Sequence, residues 1–299
     1  MSLHIIENDS LAICIADAGA ELISVFDKEA KTERIWTADP SIWNRHAPIL
    51  FPFVGKVTDG VYRIDGKEYQ MKKQHGFARD MEFSCISETE ESIEHSLSYT
   101  PETMEVYPYA FKLTVRHLLN SSASRRLVIE WEIENHDSKP MYYSIGGHPG
   151  FLLPSNIKKE DCFLVFPGKE ELQYFSANAA GFALPEDKHV LHLEQGFAPY
   201  QKDIPDTWIF EDQQIKSVGI AGPDREAYVT MNCDQFPMLA VWANSKGPFI
   251  CLEPWFGRTD DDGFHESLKE KKGMEKLNIG ELKKISYSIE FHPTKYSYK

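Results

Sequence analysis

Apolar and polar residues alternate with a period of two along most of this chain. The alternation is clearest at residues 127–133 and 285–291, where Leu, Ile, Trp, Tyr and Phe are interleaved mainly with Glu and Ser. An antiparallel sheet with one buried face and one solvated face requires this pattern, because successive side chains point to opposite faces. The same reasoning predicts further strands, which lie at residues 11–15, 21–26, 93–99 and 111–117.

Turn and helix signals complete the predicted architecture. Asp65 and Gly66 separate two alternating runs within residues 61–71, which predicts a hairpin with a type I′ turn. The only helix predicted is a short one within residues 262–277, and residues 154–159 and 176–192 are predicted to be long loops. Without a linker or a shift in composition, residues 1–299 are expected to form one all-β domain, a large antiparallel β-sandwich.

Composition and charge exclude several classes of function. The chain has 46 acidic and 32 basic residues and a net charge of -14, and no basic run carries interleaved aromatics. A nucleic-acid partner is therefore not expected. Neither a signal peptide nor an apolar run long enough to cross a bilayer is visible, so we expect a cytoplasmic protein with no membrane partner. The five cysteines form no CxxC pair, which indicates free, mostly buried thiols in a reducing compartment.

One carboxylate stands out within residues 247–257, where an apolar run ends at Glu253 and is followed by Pro254 and Trp255. The proline predicts that Glu253 is extended and that the strand ends there. A carboxyl group among bulky apolar neighbours has a raised proton affinity, which suits a general base near neutral pH. The structural alternative is a rim glutamate paired with a basic side chain.

Three further stretches depart from simple alternation. Residues 42–56 combine prolines and aromatics with Arg45 and Lys56, and residues 74–80 place His75 before a glycine and close to Arg79. Residues 144–151 surround His148 with three glycines and a proline, a composition suited to a rigid loop that presents an imidazole.

Taken singly, each of these residues could be structural, but together they suit a sugar site. Aromatic faces stack on the C–H surface of a sugar, and charged groups hydrogen-bond its hydroxyls. Two histidines and a carboxylate could instead form a facial metal triad of His75, His148 and Glu253. Nucleophile-elbow, P-loop and dinucleotide-binding motifs are absent.

These motifs, considered as a set, resemble the aldose 1-epimerase (mutarotase) family, in particular the branch that includes a lactose-operon accessory protein. The resemblance runs nearly end to end. It is carried by residues 47–52, 60–69, 75–79, 146–151 and 251–255.

The resemblance implies a galactose-mutarotase-like β-supersandwich whose sugar site lies on the concave sheet face. It implies that Glu253 is the general base, that His148 is the general acid and that His75 lies near the ring oxygen. It places Lys56 where other members carry a sugar-binding arginine, and Asp206 where an aspartate binds a sugar hydroxyl. No cofactor or metal is implied, and the oligomeric state is not indicated.

Two departures from the family pattern bear on the substrate. Gly55-Lys56 replaces an Asn-Arg pair, and Pro254-Trp255 replaces the Thr-Gln that often follows the general base. A sister group acts on hexose 6-phosphates, and Arg45 and Arg79 could hold a phosphate. The alternatives to an aldose 1-epimerase are therefore a hexose-6-phosphate 1-epimerase, a non-catalytic sugar-binding sandwich and a metal-dependent β-fold enzyme.

Overall fold

Strands dominate the chain, as the alternating pattern predicts. The computed structural model describes residues 2–119, 124–200 and 207–293. The strands there are β1 (Leu3–Glu7), β2 (Leu11–Ala16), β3 (Glu21–Asp27), β4 (Thr32–Glu33), β5 (Ile49–Leu50), β6 (Val61–Ile64), β7 (Lys67–Gln70), β8 (Ser84–Glu88), β9 (Ser92–Ser98), β10 (Phe111–Leu118), β11 (Arg126–Asn135), β12 (Met141–Tyr143), β13 (Ile145–Gly147), β14 (Gly150–Leu152), β15 (Phe163–Val165), β16 (Glu171–Ser176), β17 (His189–His192), β18 (Phe197–Pro199), β19 (Thr207–Phe210), β20 (Ser217–Ala221), β21 (Ala227–Asn232), β22 (Met238–Trp242), β23 (Phe249–Phe256), β24 (Glu275–Leu277) and β25 (Leu282–Phe291). One α-helix, α1 (Pro101–Val106), and short 3-10 turns complete the described structure; the turns are Thr58–Gly60, Ala78–Asp80, Lys159–Asp161 and Leu268–Glu270.

Two large antiparallel sheets form the body of the protein, which confirms the predicted all-β sandwich. One has nine strands in the order β18-β15-β20-β21-β25-β11-β10-β9-β8, and the other has eight in the order β17-β16-β19-β22-β23-β13-β5, with β14 also paired to β23. Strands β1 to β4 form a separate four-stranded sheet, and β12-β24 and β6-β7 are two-stranded.

The main core lies between the two large sheets. In β11 the residues Leu127, Ile129 and Trp131 are at most 2% exposed, as their alternation predicts. Trp131 contacts Phe236 with ring centroids 5.9 Å apart, and Phe236 contacts Phe256 of β23 at 5.0 Å. These rings connect the apolar faces of both sheets, as in a β-sandwich.

The predicted hairpin is confirmed, because β6 and β7 pair antiparallel around Asp65 and Gly66. Both turn residues have positive φ, 50° and 77°, which is the geometry of a type I′ turn. All five cysteines are free, as expected from their number and spacing. None of the helices in the described part of the chain is long and apolar enough to span a bilayer.

The predicted helix within residues 262–277 is wrong. The segment contains only the 3-10 turn Leu268–Glu270 and strand β24. Gly263 and Gly273 adopt left-handed φ values of 78° and 73°, which interrupt any continuous helix. Instead, the segment is anchored by a buried ion pair of 2.5 Å between Lys271 and Asp260.

Two other local predictions differ from the structure. Helix α1 was not predicted; it begins with Pro101 at its first turn and with a capping box between Thr100 and Thr103. The long loop predicted at residues 176–192 is wrong at its end, because His189 and His192 lie in β17, which pairs with β16.

Candidate active site

A gap in the pairing of β23 creates the candidate site. On one edge of β23, β14 pairs with Phe249–Cys251 and β13 pairs with Trp255 and Phe256, which leaves residues 252–254 without a ladder partner on that side. The carbonyl group of Pro254 points to this side, since a Cβ atom on Gly146 would lie 3.1 Å from its oxygen. The missing N–H of the proline therefore breaks no ladder hydrogen bond, and the prediction that the strand ends at Glu253 is wrong.

The turn between β13 and β14 carries His148 across this gap. Its backbone N–H donates to Pro48 at 3.1 Å, and its side-chain Nε2 lies 3.3 Å from Oε1 of Glu253. Gly146 permits the close approach, because a Cβ atom there would lie 2.5 Å from Cδ1 of Trp255. The glycine-rich composition of this segment thus brings His148 and Glu253 together.

The direction of the Glu253 side chain follows from the alternation along β23. Ile250, Leu252 and Phe256 belong to the main core. Glu253 therefore points to the opposite face of the eight-stranded sheet, where it lines a cavity of about 220 Å³. The residues that line this cavity are Trp43, Gly55, Lys56, Gln74, His75, Arg79, His148, Ala177, Gly181, Thr207, Ile209, Trp242, Glu253, Trp255 and Thr259.

His75 enters the cavity from a tight turn. It has a left-handed φ of 67°, and its ring lies 5.7 Å from that of His148. The backbone N–H of Gly55 donates to Nδ1 of His75 at 3.0 Å. Because a backbone N–H can only donate, Nδ1 must be unprotonated, and in the neutral ring Nε2 carries the proton.

Aromatic rings form one wall of the cavity. Trp43 stacks at a tilt on His148 with centroids 4.9 Å apart, and Trp242 meets the same ring edge-on at 5.5 Å. Phe249 packs behind both tryptophans at 5.4 Å and 5.7 Å. The imidazole is therefore held in one orientation by packing rather than by hydrogen bonds.

Lys56 and Arg79 supply cationic groups to the cavity. The Lys56 ammonium donates to the carbonyl oxygen of Ala180 at 2.6 Å, and Arg79 donates through Nη2 to Gln74 at 2.8 Å. The buried Nε of Arg79 has no hydrogen-bond partner among the described residues. Burial, and then the neighbouring Arg45, lower the pKa of the Arg79 guanidinium.

Arg45, another predicted substrate-binding residue, does not line the described cavity. The Arg45 guanidinium donates hydrogen bonds to the carboxylate of Asp80 and to the backbone oxygen of Arg79. These bonds hold it behind Arg79, whose side chain lines the cavity. Asp206 lies outside the described residues. Thr207, the next residue in the chain, lines the cavity.

Burial sets the electrostatics of the His148–Glu253 pair. It raises the pKa of Glu253 well above its ordinary value, although the side chain of Trp255 opposes the rise, and it lowers the pKa of His148 to about 3. Burial and the nearby His148 likewise lower the pKa of His75 well below its ordinary value. Burial thus favours the neutral form of each group, with the proton shared by the pair residing on the carboxyl.

A metal-ligand set is also present, but it differs from the predicted triad. His148, Cys251 and Glu253 offer ligand atoms within 4.8 Å of one another, whereas His75 already uses Nδ1 to accept from Gly55. Burial and the nearby Glu253 raise the pKa of the Cys251 thiol well above its ordinary value. Cys251 is fully buried and is not among the residues that line the cavity.

Comparison with known proteins agrees with this geometry. A family model described as aldose 1-epimerase matches residues 2–196. The protein LacX, chromosomal form, of Lactococcus lactis subsp. lactis is 30% identical over 295 residues, which cover 95% of this chain and 97% of LacX. This chain belongs to the aldose 1-epimerase family.

Solved structures of similar proteins share the fold throughout. A galactose mutarotase related enzyme from Lactobacillus acidophilus superposes with a TM-score of 0.91 at 29% identity, with complete coverage of both chains. A galactose mutarotase-like protein from Lactobacillus casei ATCC 334 gives 0.87 at 30% identity, with 97% of this chain and 100% of that one covered. The galactose-mutarotase-like architecture expected from the sequence is therefore confirmed.

Two cavity residues of this aldose 1-epimerase family member were missed by sequence reasoning. Trp242 ends the apolar run of β22, and pairing with β23 places it opposite Cys251. Thr259 accepts from the backbone N–H of Lys56 at 3.0 Å and donates to Gly181 at 2.8 Å. Neither stands out locally. Only the prediction that residues 238–242 pair with the strand carrying Glu253 could have pointed to Trp242.

Proposed function

We propose that this protein is an aldose 1-epimerase that interconverts the α and β anomers of a hexose. One observation carries the proposal: His75, His148 and Glu253, which are far apart in the chain, meet in one cavity, with His148 and Glu253 3.3 Å apart. The family membership supports a carbohydrate substrate. The five free thiols fit a reducing compartment, so we propose that the reaction takes place in the cytoplasm.

The reaction needs one base and one acid and no covalent intermediate. Glu253 as a carboxylate takes the proton from the C1 hydroxyl, and protonated His148 gives a proton to the ring oxygen as the C1–O5 bond breaks. The open-chain aldehyde turns about its C1–C2 bond, and the ring closes on the other face of C1. The two groups exchange roles in closing, which follows from microscopic reversibility.

The coupled pair supports this exchange of roles. After ring opening, Glu253 is protonated and His148 is neutral, which is the arrangement that burial favours. The arrangement needed for ring opening differs only by moving one proton across the 3.3 Å between the two groups. Sugar hydroxyls near the pair stabilise the charged arrangement, because hydrogen bonds to ionised groups are the stronger ones.

The remaining cavity groups suit the recognition of a pyranose. We assign to His75 a hydrogen bond from Nε2 to the ring oxygen, since its tautomer leaves that nitrogen as a donor. Trp43, Trp242 and Trp255 offer apolar faces, and Lys56 and Arg79 offer donors for hydroxyls. We keep Asp206 as a proposed hydroxyl ligand and assign to Arg45 the support of Arg79.

Polarimetry on freshly dissolved α-D-glucose and α-D-galactose tests the proposal. The wild-type protein should speed the approach to anomeric equilibrium, and E253Q should reduce the catalysed rate about 10²–10⁴-fold. E132Q is the matched control, because Glu132 pairs with Lys284 at 2.6 Å, away from the cavity. A folded E253Q variant with the wild-type rate would refute the assignment of the base. Sugar binding by the wild type without any rate gain would instead support a non-catalytic sugar-binding protein.

A hexose 6-phosphate is the second candidate substrate. It is favoured by the two cations that line the cavity and by the unpartnered Nε of Arg79, since guanidinium groups bind phosphate oxygens well. Measuring kcat/KM on glucose and on glucose 6-phosphate decides between the free hexose and the phosphate ester as substrate. If R79Q lowers kcat/KM on the phosphate ester far more than on the free sugar, the phosphate is the substrate group that Arg79 binds.

A further inference from the structure

A second group of titratable side chains lies where the four-stranded sheet meets the free edge of the nine-stranded sheet. It comprises His4 of β1, Asp17 after β2, Cys85 and Glu88 of β8, and His95 of β9, and we call it the edge cluster. None of these residues lines the proposed sugar cavity. The epimerase reaction therefore leaves the cluster without a role.

The edge cluster is held together by short contacts around one carboxylate oxygen. Oδ1 of Asp17 lies 2.9 Å from Nε2 of His4 and 3.2 Å from Nε2 of His95. The other ring nitrogen of His4 lies 2.8 Å from Oε2 of Glu88. His4, His95 and Cys85 each offer a ligand atom, and these three atoms all lie within 4.8 Å of one another.

We propose that the edge cluster is a binding site for a divalent transition metal of the zinc type, with His4, His95, Cys85 and Asp17 as its ligands. Zinc prefers four nitrogen, sulfur and oxygen ligands at about 2.0–2.3 Å in a tetrahedron. Ligand atoms in such a site are about 3–4 Å apart. The ligand atoms of His4, His95 and Cys85 lie within 4.8 Å of one another, and Asp17 joins them through its contacts of 2.9 Å and 3.2 Å with the two histidines.

The residue outside the four ligands also fits this assignment. Ligating histidines usually donate their second ring N–H to a carboxylate, which fixes the orientation of the ring. Glu88 occupies that position behind His4, at 2.8 Å from Nδ1. The cluster thus combines a carboxylate–histidine pair with a second histidine, a thiol and a second carboxylate.

The charge of the cluster points the same way. The His4 ring stands between the carboxylates of Glu88 and Asp17, at 2.8 Å and 2.9 Å. A divalent ion supplies positive charge among these carboxylates, and its histidine and cysteine ligands bind in their deprotonated forms. Metal binding is therefore expected to release protons and to strengthen as pH rises.

The proposed site would be structural. Its ligands lie on four separate segments, and a bound ion would join β1 to β8 and β9 across two sheets. Because the unfolded chain does not hold these ligands together, binding should stabilise the folded state. We expect no change in the catalysed rate.

Cobalt(II) added to the full-length reduced protein tests the proposal, because a cysteine ligand produces a thiolate-to-cobalt charge-transfer band. We expect one equivalent of cobalt(II) to bind and to produce this band, and we expect Zn²⁺ to displace the cobalt and remove the band. C85S should abolish the band and weaken cobalt binding roughly tenfold or more, the scale on which even outer ligand partners act. C251S is the matched control, since Cys251 is the thiol of the other possible ligand set and its loss should leave the band intact.

A second variant keeps the test decisive if C85S folds poorly. H4Q should also weaken cobalt binding at least tenfold and should reduce the rise in Tm that Zn²⁺ produces in the wild type. Absence of cobalt or zinc binding by the folded wild-type protein would overturn the proposal. A band that survives C85S but disappears in C251S would overturn it as well, because the metal would then occupy the sugar cavity.

Discussion

The His148–Glu253 pair of the proposed sugar cavity and the His4–Asp17 pair of the edge cluster contain the same kinds of side chain, but their pKa values shift in opposite directions. In the cavity, burial raises the pKa of Glu253 and lowers that of His148, so the pair is neutral. In the edge cluster, the hydrogen bond to Glu88 raises the pKa of His4. Burial opposes ionisation of Asp17, but hydrogen bonds from Ser2 and His4 lower its pKa, so these contacts favour the ionised form of both groups.

The difference between the two regions lies in hydrogen-bond partners, not in residue type. The side chains of His148 and Glu253 are 10% and 2% exposed, and Nδ1 of His148 and Oε2 of Glu253 have no hydrogen-bond partner among the described residues. His4 and Asp17 keep 14% and 12% of their side chains exposed, and both are hydrogen-bonded by further groups. A histidine beside a carboxylate therefore keeps a ring nitrogen and a carboxyl oxygen without described partners in one place, and is hydrogen-bonded by further groups in the other.

The same substitution in each region should separate these roles most clearly. H148N removes the proposed general acid and should lower the epimerase rate about 10²–10⁴-fold, whereas H4N should leave it unchanged. Polarimetry on both variants, with circular dichroism to verify folding, provides the measurement. Equal losses in the two variants would show that His148 acts only through stability.

His75 extends the comparison, because its ring accepts from a backbone N–H whereas the ring of His4 contacts two carboxylates. H75N should lower the rate about 10²-fold, because no donor remains at the position of Nε2. Its amide can still accept from Gly55, and asparagine tolerates the left-handed φ of 67°. H75A should show a similar rate loss and, in addition, about 1 kcal/mol lower stability, because the Gly55 N–H loses its partner. If H75N and H75A have the same free energy of unfolding in urea, the hydrogen bond from Gly55 does not contribute to stability.

E253Q should stabilise the protein while it lowers the catalysed rate. A carboxyl whose pKa is raised in the folded state stays protonated there, but the unfolded chain ionises above the ordinary value of 4.5, so the wild type loses stability as pH rises above that value. Glutamine resembles the protonated acid and never ionises. We expect a gain of about 0.5–2 kcal/mol at pH 7 that shrinks towards pH 4.5, measured by urea unfolding. A loss of stability at pH 7 would mean that the carboxylate form is the one that is held in the fold.

H4Q should have the smallest effect and the opposite sign. The raised pKa of His4 means that its contribution is fully present below the ordinary value of 6.5 and is lost as pH rises through the folded value. Asp17 has a lowered pKa, so its share is present above the ordinary value of 3.8. H4Q should therefore destabilise the protein by up to about 1 kcal/mol between pH 4 and 6.5, and by less at pH 9. H189Q on β17 is the control, and a pH-independent difference would argue against the ion pair.

Local patterns predicted those parts of the fold that depend on neighbours in sequence. The alternation at residues 127–133 predicted a strand with one buried face. Asp65 and Gly66 predicted the type I′ turn between β6 and β7. The same kind of reasoning failed at Pro254, where it predicted a strand end. The missing N–H is harmless there only because β13 and β14 leave a gap opposite it, and such a gap is a property of pairing between distant segments.

The candidate site shows the same division. The glycines around His148, the turn at His75 and the apolar run before Glu253 were visible as unusual local chemistry, and all three side chains reach one cavity. Arg45 looked equally suitable in sequence, yet Asp80 holds it behind Arg79. Trp242 and Thr259 carried no local signal, since their roles depend on which strand or loop lies beside them.

The sequence by itself determined the sheet-forming periodicity, the tight turns and the set of residue types able to perform acid–base chemistry, because these depend on side chains a few positions apart. Only the tertiary structure decided which of those residues share a cavity and which proton each one holds. Convergence depends on strand register across the whole chain, and the pKa of a histidine or carboxyl depends on the water and charges around it after folding.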